Sequence, residues 1–295
     1  MTRQELIQEI RQNQLEAVYK KELPKATRFE LERIYYSMMS DFKEEHFSYS
    51  QLNMYQRCGL QYFYRYIQGI KLPPNGSLVR GSSLHEVWAM DGINKKKTGT
   101  PLSIPDKKEI YHNLFSVKAE EAIFSEEDPR EVMLSTGNLA IPVHHQNTEG
   151  EIPIEVELEA EMYIDDRRIL GYIDKVTEAG IKDMKVKGKS MSEQDMQDLQ
   201  LPIYSCMTGI TTVGYEPYII TSKGCKAQKT IGKEGKIPLV KEITEQEMAR
   251  ARATAKLFID AIDKNVFIPC NPSSWVCMPK WCGYFDLCNE EILDA

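Results

Sequence analysis

No run in the sequence approaches the roughly 18 apolar residues of a membrane span, which sets aside a membrane-spanning protein. The opening stretch MTRQELIQEIRQNQ is polar and holds no secretory h-region. No GxxxxGK[ST] occurs, so no ATP-driven motor of the P-loop type is encoded. No internal repeat is visible. An excess of positive charge is missing too. The net charge of −7 argues against a uniformly basic nucleic-acid coat, although it leaves room for a local basic groove. What remains is a globular chain expected in the cytoplasm, and 295 residues suffice for one large domain or two modest ones.

Seven cysteines in a reducing compartment point to thiolate ligands and buried thiols rather than disulfides. Four of them stand out. Cys58 lies in QRCGLQYFYRY near the front, and Cys277, Cys282 and Cys288 crowd into WVCMPKWCGYFDLC at the far end. Such spacing suggests a metal or iron–sulfur site whose distant fourth ligand staples two parts of the fold. Cys270 is an additional candidate ligand, although CysAsnPro after a helix reads more naturally as a turn.

Residues 1–45 have helical spacing that Pro24 divides. SYSQ opens a helix rich in aromatics over Ser48–Ile67, and further helices are expected at Gly81–Asp91 and 106–125. The period then changes to alternation in IPIEVELEAEMYI, residues 152–164. Strands follow at Arg168–Val176, Ile181–Val186 and Glu216–Ser222, with a helix at Ser192–Gly209. Gly224–Lys236 reads as a loop. A long helix over Glu242–Asn265 opens on TEQE, a capping-box pattern. Helices, a mostly antiparallel sheet, then helices give an α/β (α+β) class.

The segment RRILGYIDKVTEAGIKDMKVKGKS carries the chemistry. If Val176 pairs with Ile181 across the Thr177–Gly180 turn, Asp174 falls opposite Asp183, and Lys185 shares their face. Opposed carboxylates repel unless a cation lies between them, and carboxylates are the ligands Mg²⁺ and Mn²⁺ prefer. Asp-x-Lys alone reads as readily as an exposed hairpin; GYID just upstream strengthens it. His85 in RGSSLHEVW stands at a helix start, as a metal ligand or as a structural histidine. Gln200 and Tyr204 in QLPIY share one helical face, beside a phosphate or base or, for Tyr204, in core packing. Two lysine-rich stretches, Lys182–Lys189 and Lys223–Lys241, are either backbone-tracking surfaces or solvated loops.

In order along the chain these motifs are Cys58, GxxxH, GYID, DxK, QxxxY and three cysteines. That order resembles the RecB-like exonucleases of the PD-(D/E)XK superfamily, in the branch with an iron–sulfur cluster. This branch includes CRISPR-associated RecB-like exonucleases, the AddB nuclease domain and bacteriophage exonucleases. The resemblance implies a restriction-endonuclease-like core over residues 47–290, a central mixed sheet flanked by helices, with its two ends joined by a cysteine-ligated cluster. Residues 1–46 form a helical extension outside it. The resemblance makes His85, Asp174, Asp183 and the Met184 backbone carbonyl the ligands of Mg²⁺ or Mn²⁺. Lys185 becomes the catalytic lysine, with Gln200 and Tyr204 on the substrate side. Cys58, Cys277, Cys282 and Cys288 become ligands of a 4Fe-4S cluster. Four residues separate Cys277 from Cys282 where Cys-x-x-Cys is frequent, so zinc stays open as the alternative. The implied activity is metal-dependent hydrolysis of DNA, single-stranded or at its ends, in recombination, repair or phage DNA processing, in a bacterial or phage-infected cell. Tyr204 or the aromatics of Tyr62–Tyr66 are expected to stack on bases. A helicase or recombination partner would be a separate polypeptide. The rival reading is a non-catalytic DNA-binding or assembly subunit of the same fold.

Overall fold

A computed structural model describes residues 46–232 and 237–293, together with Thr2, Gln4, Glu5, Gln8 and Leu31. The helical extension expected over residues 1–46 therefore lies almost wholly outside the described residues. Among the described residues, no helix is long and apolar enough to cross a membrane.

In chain order the main elements are α1 (Tyr49–Arg57), α2 (Gly76–Thr98), α3 (Ile104–Lys118), α4 (Arg130–Asn147), β1 (Glu155–Ile164), β2 (Arg167–Thr177), β3 (Gly180–Lys187), α5 (Gln200–Thr208), β4 (Thr212–Thr221), β5 (Gly224–Ala227), β6 (Val240–Glu242), α6 (Glu245–Asp263) and α7 (Phe285–Leu293). Contacts divide the chain into two compact units. One comprises Met1–Leu72, Tyr163–Ile169 and Ala253–Ala295, the other Pro73–Met162 and Leu170–Arg252.

Local sequence sets the helix starts. Ser48 accepts the Gln51 N–H at 3.3 Å while the Gln51 side chain turns back to the Ser48 N–H, the reciprocal capping box that SYSQ encodes. Thr244 and Glu247 form the same box at α6 (3.2 and 2.9 Å). Asn75 caps α2 through the Leu78 N–H at 2.8 Å, so α2 begins earlier and runs longer than Gly81–Asp91. Helix α4 has no counterpart in the sequence reading.

The sheet is mixed. β2 and β3 form an antiparallel hairpin in the register Lys175↔Lys182, Val176↔Ile181 and Thr177↔Gly180, as the alternation predicts. Gly180 adopts φ +108°, and a Cβ there would stand 2.1 Å from the Thr212 carbonyl oxygen, so this turn requires glycine. β3 pairs with β4 in parallel over Ile181↔Val213 to Lys187↔Ile219, within a sheet whose other ladders are largely antiparallel, as expected. Parallel neighbours need a crossover, and α5 supplies it. β5 and β6 each pair antiparallel with β4, and β1 pairs with β2.

Two further expectations change. Ser192–Gly209 is not one helix: a 3₁₀ turn at Gln194–Gln197 precedes α5, which starts at Gln200 just ahead of Pro202. Gly224–Lys236 is not all loop. It contains β5 and Thr230–Ile231, which pairs with Ile237–Pro238, and Ile231 is buried. Residues 233–236 lie outside the described residues.

In the larger unit, one apolar cluster joins α2, α3 and α4 to Met184, Tyr218 and Ile220 of the sheet. A second joins Leu201 and Tyr204 of α5 to Ile173, Ile181, Val213 and Tyr215. The strands are thus covered on both sides, as α/β layering requires. The smaller unit has an aromatic core in which Tyr62 stacks on Phe267 at 6.1 Å and Tyr64 on Tyr284 at 5.5 Å.

Candidate active site

The hairpin, α2 and α5 bring the motif residues of the larger unit together. His85, about two and a half turns into α2, places Nδ1 3.6 Å from Asp174 Oδ1. The other Asp174 oxygen accepts the Met184 N–H at 2.6 Å. Asp183 is 2 % exposed, and its Oδ2 stands 2.6 Å from Lys185 Nζ, while Gln200 Nε2 donates to its Oδ1 at 2.7 Å. Gln200 also accepts from Lys185 Nζ at 2.8 Å and has its Nε2 2.9 Å from the Tyr204 hydroxyl. That hydroxyl donates to the Tyr172 carbonyl at 3.0 Å. Gly171 of GYID makes room: a Cβ there would meet the Tyr204 ring at 3.2 Å.

The two carboxylates take different cationic partners, Asp174 the imidazole and Asp183 the lysine. Burial opposes a charged His85, but the hydrogen bond to Asp174 and the charges of Asp174 and Asp183 outweigh it and raise its pKa. Burial, followed by the charge of Asp174, pushes the Asp183 carboxyl up to about 6 against the pull of Lys185. Beside Asp174, Lys175 binds Glu216 (2.9 Å) and Glu151 (2.5 Å), and Lys182 also binds Glu151. Lys187 pairs with Asp195 at 2.6 Å. Three lysines of the first lysine-rich stretch, Lys182, Lys185 and Lys187, are therefore paired with acids.

The sequence reading missed the buried polar cluster behind this site. Asp91 and Lys107 are both fully buried, 2.8 Å apart, and Lys95 binds the Thr148 carbonyl and hydroxyl at 2.8 Å each. Their signal in the sequence is only an Asp and a Lys four apart on a helix, a pattern common on solvated faces.

In the smaller unit Cys58, Cys277, Cys282 and Cys288 line one pocket, and Cys270 joins them. Gln61 Nε2 donates to Cys282 Sγ at 3.3 Å, and the Cys270 N–H to Cys58 Sγ at 3.4 Å. Burial, then the charges of Cys58 and Cys277, push the Cys270 thiol up to about 12; burial above all holds Cys288 at about 11. Tyr62, Phe63 and Tyr64 are 0 %, 0 % and 1 % exposed and Tyr204 is 5 % exposed, so these rings are core and closed to base stacking, contrary to expectation, whereas Tyr66 is partly exposed.

Among the described residues, no three His, Cys, Asp or Glu side chains are gathered as a formed metal-binding group. The donor chemistry nevertheless fits each group. Two carboxylates with an imidazole suit a hard divalent cation, and Asp183 Oδ2 is a buried oxygen with no hydrogen bond of proper geometry. Crowded thiols that mutually resist ionisation suit a soft cation or an iron–sulfur cluster, which would stabilise them as thiolates.

No curated protein matches this chain. Among solved structures, one from Eubacterium rectale, provisionally named an exonuclease, aligns with TM-score 0.52 at 10% identity, covering 80% of this chain and 88% of that one. At that identity the likeness concerns the fold. Residues 46–289 match the family model of the PD-(D/E)XK nuclease superfamily, a span holding every motif residue from Cys58 to Cys288, and the chain belongs to that superfamily.

Proposed function

We propose that this nuclease is a metal-dependent DNA exonuclease of the RecB-like, iron–sulfur branch. Its substrate is single-stranded DNA or DNA ends, in recombination, repair or phage DNA processing. The observation that carries the reading is the convergence of His85, Asp174, Asp183 and Lys185, with Gln200 bridging Asp183 to Lys185.

His85, Asp174 and Asp183, with the Met184 carbonyl, would hold Mg²⁺ or Mn²⁺. A bound ion supplies Lewis acidity at the scissile phosphate and lowers the pKa of water. As an ammonium Lys185 brings a positive charge to the phosphate and orients the attacking water, or as the neutral amine it takes the proton of that water, and Gln200 fixes where its Nζ lies. Tyr204 holds Gln200 in turn, anchored on the β2 backbone. Cys58, Cys277, Cys282 and Cys288 would hold a 4Fe-4S cluster that ties sequence-distant segments and so offsets the entropy of closing a long loop.

The test is digestion of single-stranded DNA labelled at the 5′ or 3′ end, with Mg²⁺ or Mn²⁺, comparing the wild type with Asp174→Ala. Release of end nucleotides by the wild type alone supports the reading. No cleavage by anaerobically purified protein rejects it in favour of a non-catalytic subunit. Iron and sulfide in that protein support the cluster; zinc without iron rejects it.

A further inference from the structure

The chain has three tryptophans. Trp88 is core at 2 % exposure, but Trp275 and Trp281 are 59 % and 60 % exposed. The two exposed rings touch, with centroids 6.2 Å apart and planes at 86°. Lys280 Nζ lies 5.5 Å from the centroid of Trp281.

This pair is built, not incidental. The loop carrying it turns Val276, Cys282 and Tyr284 inward, each below 10 % exposed, and so holds the two indoles outward. Single exposed apolar residues are ordinary, but two contacting tryptophans leave a large apolar area in water. Lys280 is the one charged residue from Asn265 to Phe285, with Lys264 and Asp286 on either side, and it places a positive charge beside the Trp281 ring. Every base has a π-face, and unpaired strands expose theirs, whereas a duplex keeps them stacked inside.

We propose that Trp275 and Trp281, with Lys280, form a stacking platform for the bases of single-stranded DNA. The identity of the ligand rests on the nuclease reading above. The platform uses none of the catalytic residues and replaces the buried Tyr62 and Tyr64 as the aromatic contact.

The experiment measures binding of a labelled oligothymidylate of about 12 nucleotides by anisotropy. It uses the full chain carrying Asp174→Ala, so that cleavage does not interfere. Trp275→Ala and Trp281→Ala each weaken binding roughly 5- to 150-fold, Trp281→Phe retains most of it, and the oligonucleotide quenches tryptophan fluorescence in the parent. Blunt duplex binding changes little. Unfolding curves matching the parent keep these readings about binding. Unchanged affinity in the double Trp→Ala variant overturns the platform while leaving the nuclease reading intact. So does unchanged affinity with lost self-association in sedimentation, which makes the pair a contact between copies. A parent that binds no oligonucleotide overturns both.

Discussion

Gln200 donates its amide hydrogen to Asp183 Oδ1 at 2.7 Å, and its carbonyl oxygen holds Lys185 at 2.8 Å. One side chain thus fixes an acid and a base two residues apart on β3. Gln200→Leu is expected to keep the fold and lower kcat by about 100-fold, the cost of a misplaced catalytic group. Single-turnover cleavage of end-labelled DNA checks this. A change in KM alone would place Gln200 in substrate binding instead.

Asp183 illustrates the tension between stability and activity. Its carboxylate is buried, and the same burial pushes it up to about 6. In protein freed of divalent metal, Asp183→Asn is expected to be at least as stable as the wild type, because a neutral amide costs less to bury. The same variant should lose cleavage by about 100- to 1,000-fold, on the order of what removal of a principal electrostatic contact costs. Thermal melts in chelator, beside activity in Mg²⁺, test both halves.

Asp91 should matter for stability rather than chemistry. It binds Lys107 at 2.8 Å, stands 3.5 Å from Lys95, and accepts the Leu102 N–H at 2.8 Å. Asp91→Ala leaves two buried lysines without their acid and should cost about 3–5 kcal/mol in urea unfolding. A loss below about 1 kcal/mol would mean that water reaches those lysines.

His144 sets a pH limit. It is 3 % exposed and stacked on Trp88 at 4.9 Å. Burial first, and then Lys175, Lys107 and Lys95, depress its pKa well below 6.5. The unfolded chain therefore takes up a proton that the folded chain refuses. Stability attributable to this residue is complete above about pH 6.5 and falls by about 1.4 kcal/mol per pH unit below it. His144→Phe should flatten that slope between pH 6.5 and 5.5. An unchanged slope would assign it to other groups.

What could be read from the sequence was local. The Val176–Ile181 register follows from strand alternation, and SYSQ and TEQE fix two helix starts through contacts three residues apart. Helix α4 escaped for a physical reason. Its buried stripe, Met133, Thr136, Gly137, Ala140, Ile141 and His144, has helical spacing but mixes polar and small residues, and Pro142 interrupts it. The parallel β3–β4 pairing depends on a crossover that no local pattern announces. Burial of Tyr62 and Tyr64 and exposure of Trp275 and Trp281 are tertiary facts, since an aromatic ring serves a core or a ligand equally well. Cys270 read as a turn because CysAsnPro follows a helix, while the sulfur that its N–H meets, that of Cys58, is distant in sequence.

The segmental make-up of the smaller unit also orders events during synthesis. Pro73–Arg252, which holds His85, Asp174, Asp183 and Lys185, is fully translated before Cys270 has been added. Cys58 leaves the ribosome far earlier than its prospective partners, so throughout that interval the nascent chain offers one lone thiol of the five. A metal bound by those thiols would have to wait for the stretch through Cys288, whereas the larger unit is free to fold first.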